Sequence, residues 1–476
     1  MRHPRFNPKA IQPGIVHIGL GNFHRAHMAR YTHALMEADA SALHWGILGA
    51  GLLPADRRVH DALAEQDWLY SLVERDTQRE SVTLVGSLCG MLLAAEDSAR
   101  LLDAIVRPET RIVSLTVTSD GYGLSPATKR LDPANPTIAA DLMDPEHPHS
   151  AVGLIVEAYR RRMIAGSRPF SALSCDNIQQ NGRILRQAVL DYAALRCRHL
   201  ADWIAAHGRF PCTMVDRITP ATRAEDIDWL CERYGVEDAA PVFSESFSQW
   251  VIEDDFADGR PDWDLVGALF APHVAPYERM KLRLLNASHL AAAGPARLMG
   301  YSYIHEAISD DLIRRYVKAL MDRETGQTLT NIPCVDLETY KETVVARFAN
   351  PAICDSVDRV NRDASLNYLL DPLADRLASG HSIDLLGFAI AAWIRRVRGR
   401  DEQGRPIEVH HPLATLLRER AERGGSDPAP VLAIESLFGH LGQNPIVLKT
   451  VADQLFVIDA HGVRDALARL SAKLGF

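Results

Sequence analysis

Ile15-Val16-His17-Ile18-Gly19-Leu20-Gly21 is the stretch that most narrows what this chain can become. A β-rich apolar run stops at two glycines, and a helical pattern follows over residues 26–36. That is the signature of a buried strand feeding a helix through a tight turn. Residues 45–49, 111–118 and 170–175 read as the second, third and fourth strands, and the 111–118 run ends in Asp120-Gly121-Tyr122-Gly123. Strands that alternate with helical patterns predict an α/β fold with a mostly parallel, Rossmann-like, doubly wound sheet.

The character changes after residue 272. Helical patterns then dominate, at 278–298, 311–321, 337–348, 383–398, 412–423 and 462–474, and Pro272 and Pro276 bracket a junction. The expected organisation is a dinucleotide-binding domain over 1–272 and a mainly helical substrate or catalytic domain over 273–476, with a ligand in the cleft between them. A length of 476 residues is enough for two or three domains with cores of their own.

Composition removes several functions. A net charge of -9 argues against general nucleic-acid binding. Arg160, Arg161 and Arg162, and then Arg395, Arg396, Arg398 and Arg400, form short basic clusters that read as solvated helix ends. Seven widely spaced cysteines without a C-x-x-C predict neither a disulfide framework nor structural zinc. The N-terminus lacks the apolar core of a signal peptide, and no run of about 18 apolar residues exists to span a membrane. A cytoplasmic protein without membrane partners is expected.

Gly19, Gly21, Asn22, Phe23, His24 and Arg25 sit where a strand-to-helix turn holds a pyrophosphate. Glycines there let backbone approach phosphate, and the helix start offers N–H donors. His24 replaces the third glycine of G-x-G-x-x-G, so an ordinary turn explains the segment equally well. The second strand leads to Asp56, which either binds a ribose 2′-hydroxyl or caps the helix at Arg57. Arg57 and Arg58 would attract a 2′-phosphate instead. The balance favours NAD over NADP, with Thr118, at the end of the third strand, among the cofactor residues.

The densest chemistry lies in Tyr277-Glu278-Arg279-Met280-Lys281-Leu282-Arg283-Leu284-Leu285-Asn286-Ala287-Ser288-His289. On an α-helix with Lys281 at zero, Asn286 falls at about 140° and His289 at about 80°. A lysine desolvated in a cleft has its charged form disfavoured. It can then take a proton from a secondary alcohol, while an asparagine donates to the developing alkoxide. His289 can orient a neighbouring hydroxyl. The same spacing also fits an amphipathic helix with a solvated lysine.

Five segments in order resolve this. They are Ile15 to His27, Ser174-Cys175-Asp176-Asn177, Thr213 to Pro220, Gln249-Trp250-Val251-Ile252-Glu253-Asp254, and Lys281 to His289. Together they make the chain resemble the polyol-specific long-chain dehydrogenase/reductase family, whose members act on mannitol, D-arabinitol or fructuronate. The resemblance runs nearly the whole length. It implies Lys281 as general base, Asn286 and Asn177 as an oxyanion hole, His289 as a substrate contact and Glu278 as a gate for proton exchange with water. It places Asp216 and Arg217 along the same cleft and implies no catalytic metal. Read on its own, Asn177 also fits an Asx turn, Asp216 with Arg217 a structural ion pair, and Gln249-Trp250 core packing.

Three departures bear on the substrate. Ser119 stands where the family has glutamate, with Asp120 beside it, and Gln179 stands where it has proline. Asn367, in Asp363-Ala364-Ser365-Leu366-Asn367, replaces the family's substrate-side cation. Losing that cation favours a neutral polyol, with Asn367 as a hydroxyl partner, over a ketouronate. Polyol–ketose interconversion is therefore expected, by a monomer or small homo-oligomer. A hexuronate reductase and a nucleotide-binding protein without turnover are the alternatives.

Overall fold

A computed structural model describes residues 1–125 and 128–476. The chain divides into two compact units, Met1–Ala275 and Pro276–Phe476.

Among the described residues of the first unit eleven strands form in chain order: β1 (Pro13–Ile18), β2 (Gly46–Gly51), β3 (Tyr70–Arg75), β4 (Glu80–Val85), β5 (Leu88–Leu93), β6 (Ile112–Leu115), β7 (Ser171–Ser174), β8 (Thr213–Asp216), β9 (Val242–Glu245), β10 (Gln249–Glu253) and β11 (Leu269–Ala271). Five build the main sheet, in the order β5-β2-β1-β6-β7, all parallel. The chain winds outward from β1 to one edge, then returns to β6 and winds to the other. Such a switch leaves a crevice beyond the carboxyl ends of β1 and β6.

Side chains of this sheet alternate between two cores, as the two-residue strand period requires. Val16, Ile18, Val113, Leu115 and Ala172 enter one cluster with the helices Ala151–Ala165 and Asn181–Arg196. Ile15, Ile112 and Leu173 enter the other, with Trp250 and Trp263. A sheet buried on both faces explains the continuous apolar runs of its strands. Two further three-stranded sheets, β11-β10-β8 and β4-β3-β9, complete the unit.

The second unit is helical. The helix Asp384–Arg396 is apolar on every side and packs against Ala287–Met299 and Pro445–His461. Its N-terminus is capped from elsewhere: Glu324 accepts the Leu385 and Leu386 amides, each at 2.8 Å. Burial pushes the Glu324 carboxyl from its usual 4.5 up to about 7, although those two amides pull it down. The fold thus prefers the protonated acid. Its contribution to stability is complete below about 4.5 and is lost as pH rises through about 7. Urea unfolding should show wild type losing stability relative to Glu324→Gln between pH 5 and 7.5, by up to about 3 kcal/mol. Parallel pH profiles would refute this.

Two basic runs are not solvated helix ends throughout. Arg162 is buried, its guanidinium donating to the carbonyls of Ile105, Arg107, Thr110 and Arg168. Arg396 is buried as well. The seven cysteines are all free thiols, and no helix among the described residues is long and apolar enough to cross a membrane.

Candidate active site

Polar side chains knit together the carboxyl ends of β1, β6 and β7. His17 Nδ1 pairs with Ser114 Oγ at 2.8 Å, and its Nε2 lies 3.1 Å from both the Gly19 carbonyl and Thr116 Oγ1. Asp176, just past β7, accepts from the Thr118 amide at 2.8 Å and from Tyr122 Oη at 2.8 Å. Burial raises the Asp176 pKa by more than these donors lower it. The clamp holds Thr118 at φ 61°, a left-handed value for a β-branched residue. Strain of this kind costs of order 1–3 kcal/mol and gathers at functional sites. Asn177 follows directly and is exposed.

The glycine turn has two distinct parts. Gly19 has φ +91°, and a Cβ there would sit 2.2 Å from the Thr116 carbonyl, so the fold itself demands glycine. At Gly21 a Cβ would meet nothing within 4 Å. Open space beside that backbone, at the switch point of a parallel sheet, fits a dinucleotide phosphate.

The side chains that follow turn inward, which corrects the expectation that His24 faces a phosphate. His24 is buried and stacks on His17 with ring centres 3.4 Å apart, and burial lowers its pKa well below the usual value. Arg25 is buried too, donating to the Ala240 carbonyl and, at 2.7 Å, to Asn22 Oδ1. Asn22 also donates to Thr222 Oγ1 at 3.2 Å. Phe23 stacks on His27 at 5.1 Å. What this loop offers a phosphate is backbone rather than side chain. Asp56 accepts the Leu53 amide at 2.9 Å through one oxygen, and Arg57 is paired with Glu96.

Arg217 also departs from expectation. It donates to the Glu245 carbonyl through Nε at 3.1 Å and Nη2 at 2.9 Å, to the Ala26 carbonyl at 2.6 Å and to Glu74 Oε1 at 2.5 Å. Its guanidinium is thus committed to the chain, and its ion partner is Glu74 rather than its neighbour Asp216. Asp216 is buried at the end of β8. Trp250 is core, as the packing alternative had it.

In the second unit the helix carrying Lys281 is not α-helical throughout. Ala275–Lys281 is α, Leu282–Asn286 is a π turn, and Ala287–Met299 resumes α. The π turn is closed by the Ala287 amide on the Leu282 carbonyl. Such a turn takes up one extra residue, and turns of this kind recur at functional sites. One residue is about 100° of helix. The angle of Asn286 from Lys281 therefore closes from about 140° to about 40°, and His289 moves from about 80° to about -20°. Glu278, one α turn before the lysine, falls at about 60°. All four side chains then share one face, where a regular helix would spread them widely.

Lys281 is only 6% exposed, and Glu278 and His289 are buried with it. Asn286 Oδ1 is buried without a hydrogen-bond partner. His289 stacks on Phe348 at 4.4 Å, and its Nε2 lies 3.2 Å from Asp355 Oδ2. Arg359 grips the same carboxylate with two bonds of 2.7 Å. Burial works to raise the Asp355 pKa, but His289 and Arg359 outweigh it and hold the pKa below its usual value. Sequence reasoning missed Asp355, which lies against His289. The i,i+4 pair Asp355/Arg359 was its only local trace. Asn367 is exposed at the first position of the helix Asn367–Ala378 and lines a cavity whose walls include none of Lys281, Asn286 or His289. Among the described residues, no group of three or more His, Cys, Asp or Glu could hold a metal ion.

The sequence profile of the mannitol dehydrogenase Rossmann domain matches residues 13–265, and that of the mannitol dehydrogenase C-terminal domain matches residues 273–458. The chain belongs to the mannitol dehydrogenase family. Within this family, mannitol 2-dehydrogenase from Aspergillus fumigatus is 40% identical over 440 residues, covering 90% of this chain and 87% of its own. Mannitol dehydrogenase DSF1 of Saccharomyces cerevisiae is 39% identical over 440 residues, covering 91% and 88%. Among solved structures of the family's fold, the Pseudomonas fluorescens mannitol 2-dehydrogenase complex with NAD and D-mannitol matches with a TM-score of 0.88 at 37% identity, covering 99% of this chain and 97% of that one. A substrate-free D-sorbitol dehydrogenase matches with a TM-score of 0.90 at 34% identity, covering 98% and 97%.

Proposed function

We propose that this protein is an NAD-dependent oxidoreductase that interconverts a polyol of the mannitol or D-arabinitol type and its ketose, with Lys281 as general base. The observation that carries the reading is the π turn, which sets Lys281, Asn286, His289 and Glu278 on one helix face. It occurs in a chain whose solved relative binds NAD and D-mannitol.

The open backbone at Gly21 and the Gly19 turn would receive the pyrophosphate, and Asp56 keeps an oxygen for a ribose hydroxyl. With Arg57 paired to Glu96, that end favours NAD over its 2′-phosphorylated form. The nicotinamide, when bound, supplies the hydride acceptor for oxidation and the hydride donor for reduction. In oxidation Lys281 Nζ takes the hydroxyl proton of the carbinol as hydride leaves the same carbon. In reduction it returns that proton to the carbonyl oxygen. Asn286 donates to the oxygen while it carries charge, and the family resemblance adds Asn177 as a second amide donor. His289, with Asp355 beside it, holds a neighbouring hydroxyl, and Glu278 passes the proton onward to water. The family resemblance implies no catalytic metal: Lys281 moves the proton and the asparagine amides stabilise the charge on the oxygen.

A substrate panel tests this: polyols with NAD and NADP, and neutral ketoses and ketouronates with NADH. Turnover of a neutral polyol–ketose pair with NAD is expected. Activity confined to ketouronates would overturn the substrate class, and NADH binding without turnover of any pair would overturn the enzyme.

A further inference from the structure

Arg396 is the one buried arginine among the described residues with no partner. It ends the helix Asp384–Arg396 and is 5% exposed. Its Nε is buried without a hydrogen bond, and no carboxylate lies within ion-pair distance of its guanidinium. Buried Arg162 has four carbonyls, Arg217 has a carboxylate and two carbonyls, Arg283 has Asp375 and the Thr328 carbonyl, and Arg376 has the Ser382 carbonyl. A buried charge is costly unless it is paired. Burial pushes the Arg396 pKa down to about 10, which leaves it charged at neutral pH.

The guanidinium lines a cavity of about 320 Å³ that also takes in Asn361, Arg362, His411 and Ser436. Its other charges are matched. Arg362 bonds Asp363 at 2.8 Å, and His410 lies 3.4 Å from Glu408. Asp358, the nearest acid felt by Arg396, is bonded by Arg297 at 2.8 Å. His411 Nδ1 accepts the Leu413 amide at 3.0 Å, so a neutral His411 carries its proton on Nε2 and is a donor there. Asn361 uses its Nδ2 on the Ala293 and Val357 carbonyls and leaves Oδ1 buried without a donor. The walls thus offer an uncompensated cation with N–H and O–H donors around it.

We propose that this cavity is a binding site for a small oxyanion of the phosphate class, held by the Arg396 guanidinium with His411 and Ser436 as further donors. A tetrahedral phosphate offers oxygens to three donors at once, whereas a simple carboxylate offers two.

The test uses the full chain with saturating NADH, so that the dinucleotide loop is already filled. Inorganic phosphate and acetate are titrated at matched ionic strength against chloride, with thermal unfolding and calorimetry as readouts. Phosphate at millimolar concentration should raise Tm by a few degrees in wild type and not in Arg396→Met. In chloride alone, Arg396→Met should be at least as stable as wild type, because an unpaired charge has been removed. Should that variant fail to fold, Ser436→Asp decides the matter: a built-in carboxylate should raise Tm without phosphate and blunt the phosphate response. An acetate effect equal to that of phosphate would overturn the phosphate class. No response beyond chloride in wild type, or an undiminished response in Arg396→Met or Ser436→Asp, would overturn the site.

Discussion

Lys281→Ala should lose most turnover while NADH binds almost as before. A positioned proton-transfer group contributes about 10²–10⁴-fold, equivalent to about 3–5 kcal/mol of barrier. Lys281 is in the helical unit, whereas the glycine turn and Asp56 belong to the sheet unit, so truncation leaves the proposed nucleotide-binding groups intact. Steady-state kinetics with fluorescence titration of NADH separates the two effects. Wild-type oxidation should quicken as pH rises, because the base must be neutral to accept a proton, and the variant should lose that dependence. Full turnover in Lys281→Ala would remove the base assignment and leave the family membership standing.

Arg217→Met should instead unfold the protein more readily. The substitution takes a cation from Glu74 and hydrogen bonds from two carbonyls, all at buried or nearly buried positions. Breaking one side of such a pair costs about 3–5 kcal/mol, chiefly through the charge left behind. Chemical denaturation should show a lower midpoint with an unchanged slope. The KM for polyol should change little in the fraction that remains folded. A variant as stable as wild type with a KM raised for substrate alone would return Arg217 to the substrate site.

These cases show what could be read from the chain alone. The central strands were legible because both faces of the sheet are buried, which makes the runs from Ile15 and Ile112 continuously apolar. β5 and the small sheets were not, since their pairings join distant segments such as β3 with β9. The family resemblance was carried by segments that keep their order, and it supplied Lys281, Asn286 and His289 together. Their geometry was less visible. An α-helical wheel places them in one broad cleft spanning about 140°, and nothing in Leu282-Arg283-Leu284-Leu285 announces the π turn that narrows it. Arg217, His24 and Arg396 were misplaced for a related reason. A polar residue in a motif looks available in sequence, and only tertiary partners reveal whether its donors are already taken or left open.

The π turn has a consequence of another kind. Removing any one residue between Lys281 and Asn286 would relax it to an ordinary α turn and keep every proposed reacting side chain. Asn286 would then lie four α residues after the lysine, again at about 40°, so the shared face would survive the deletion. The turn thus absorbs one residue of chain length without changing the phase of the reacting set. Straightening it into a regular α turn at unchanged length would instead carry Asn286 back to about 140°. The extra residue and the wide backbone turn that accommodates it are therefore matched, and can be lost together but not singly.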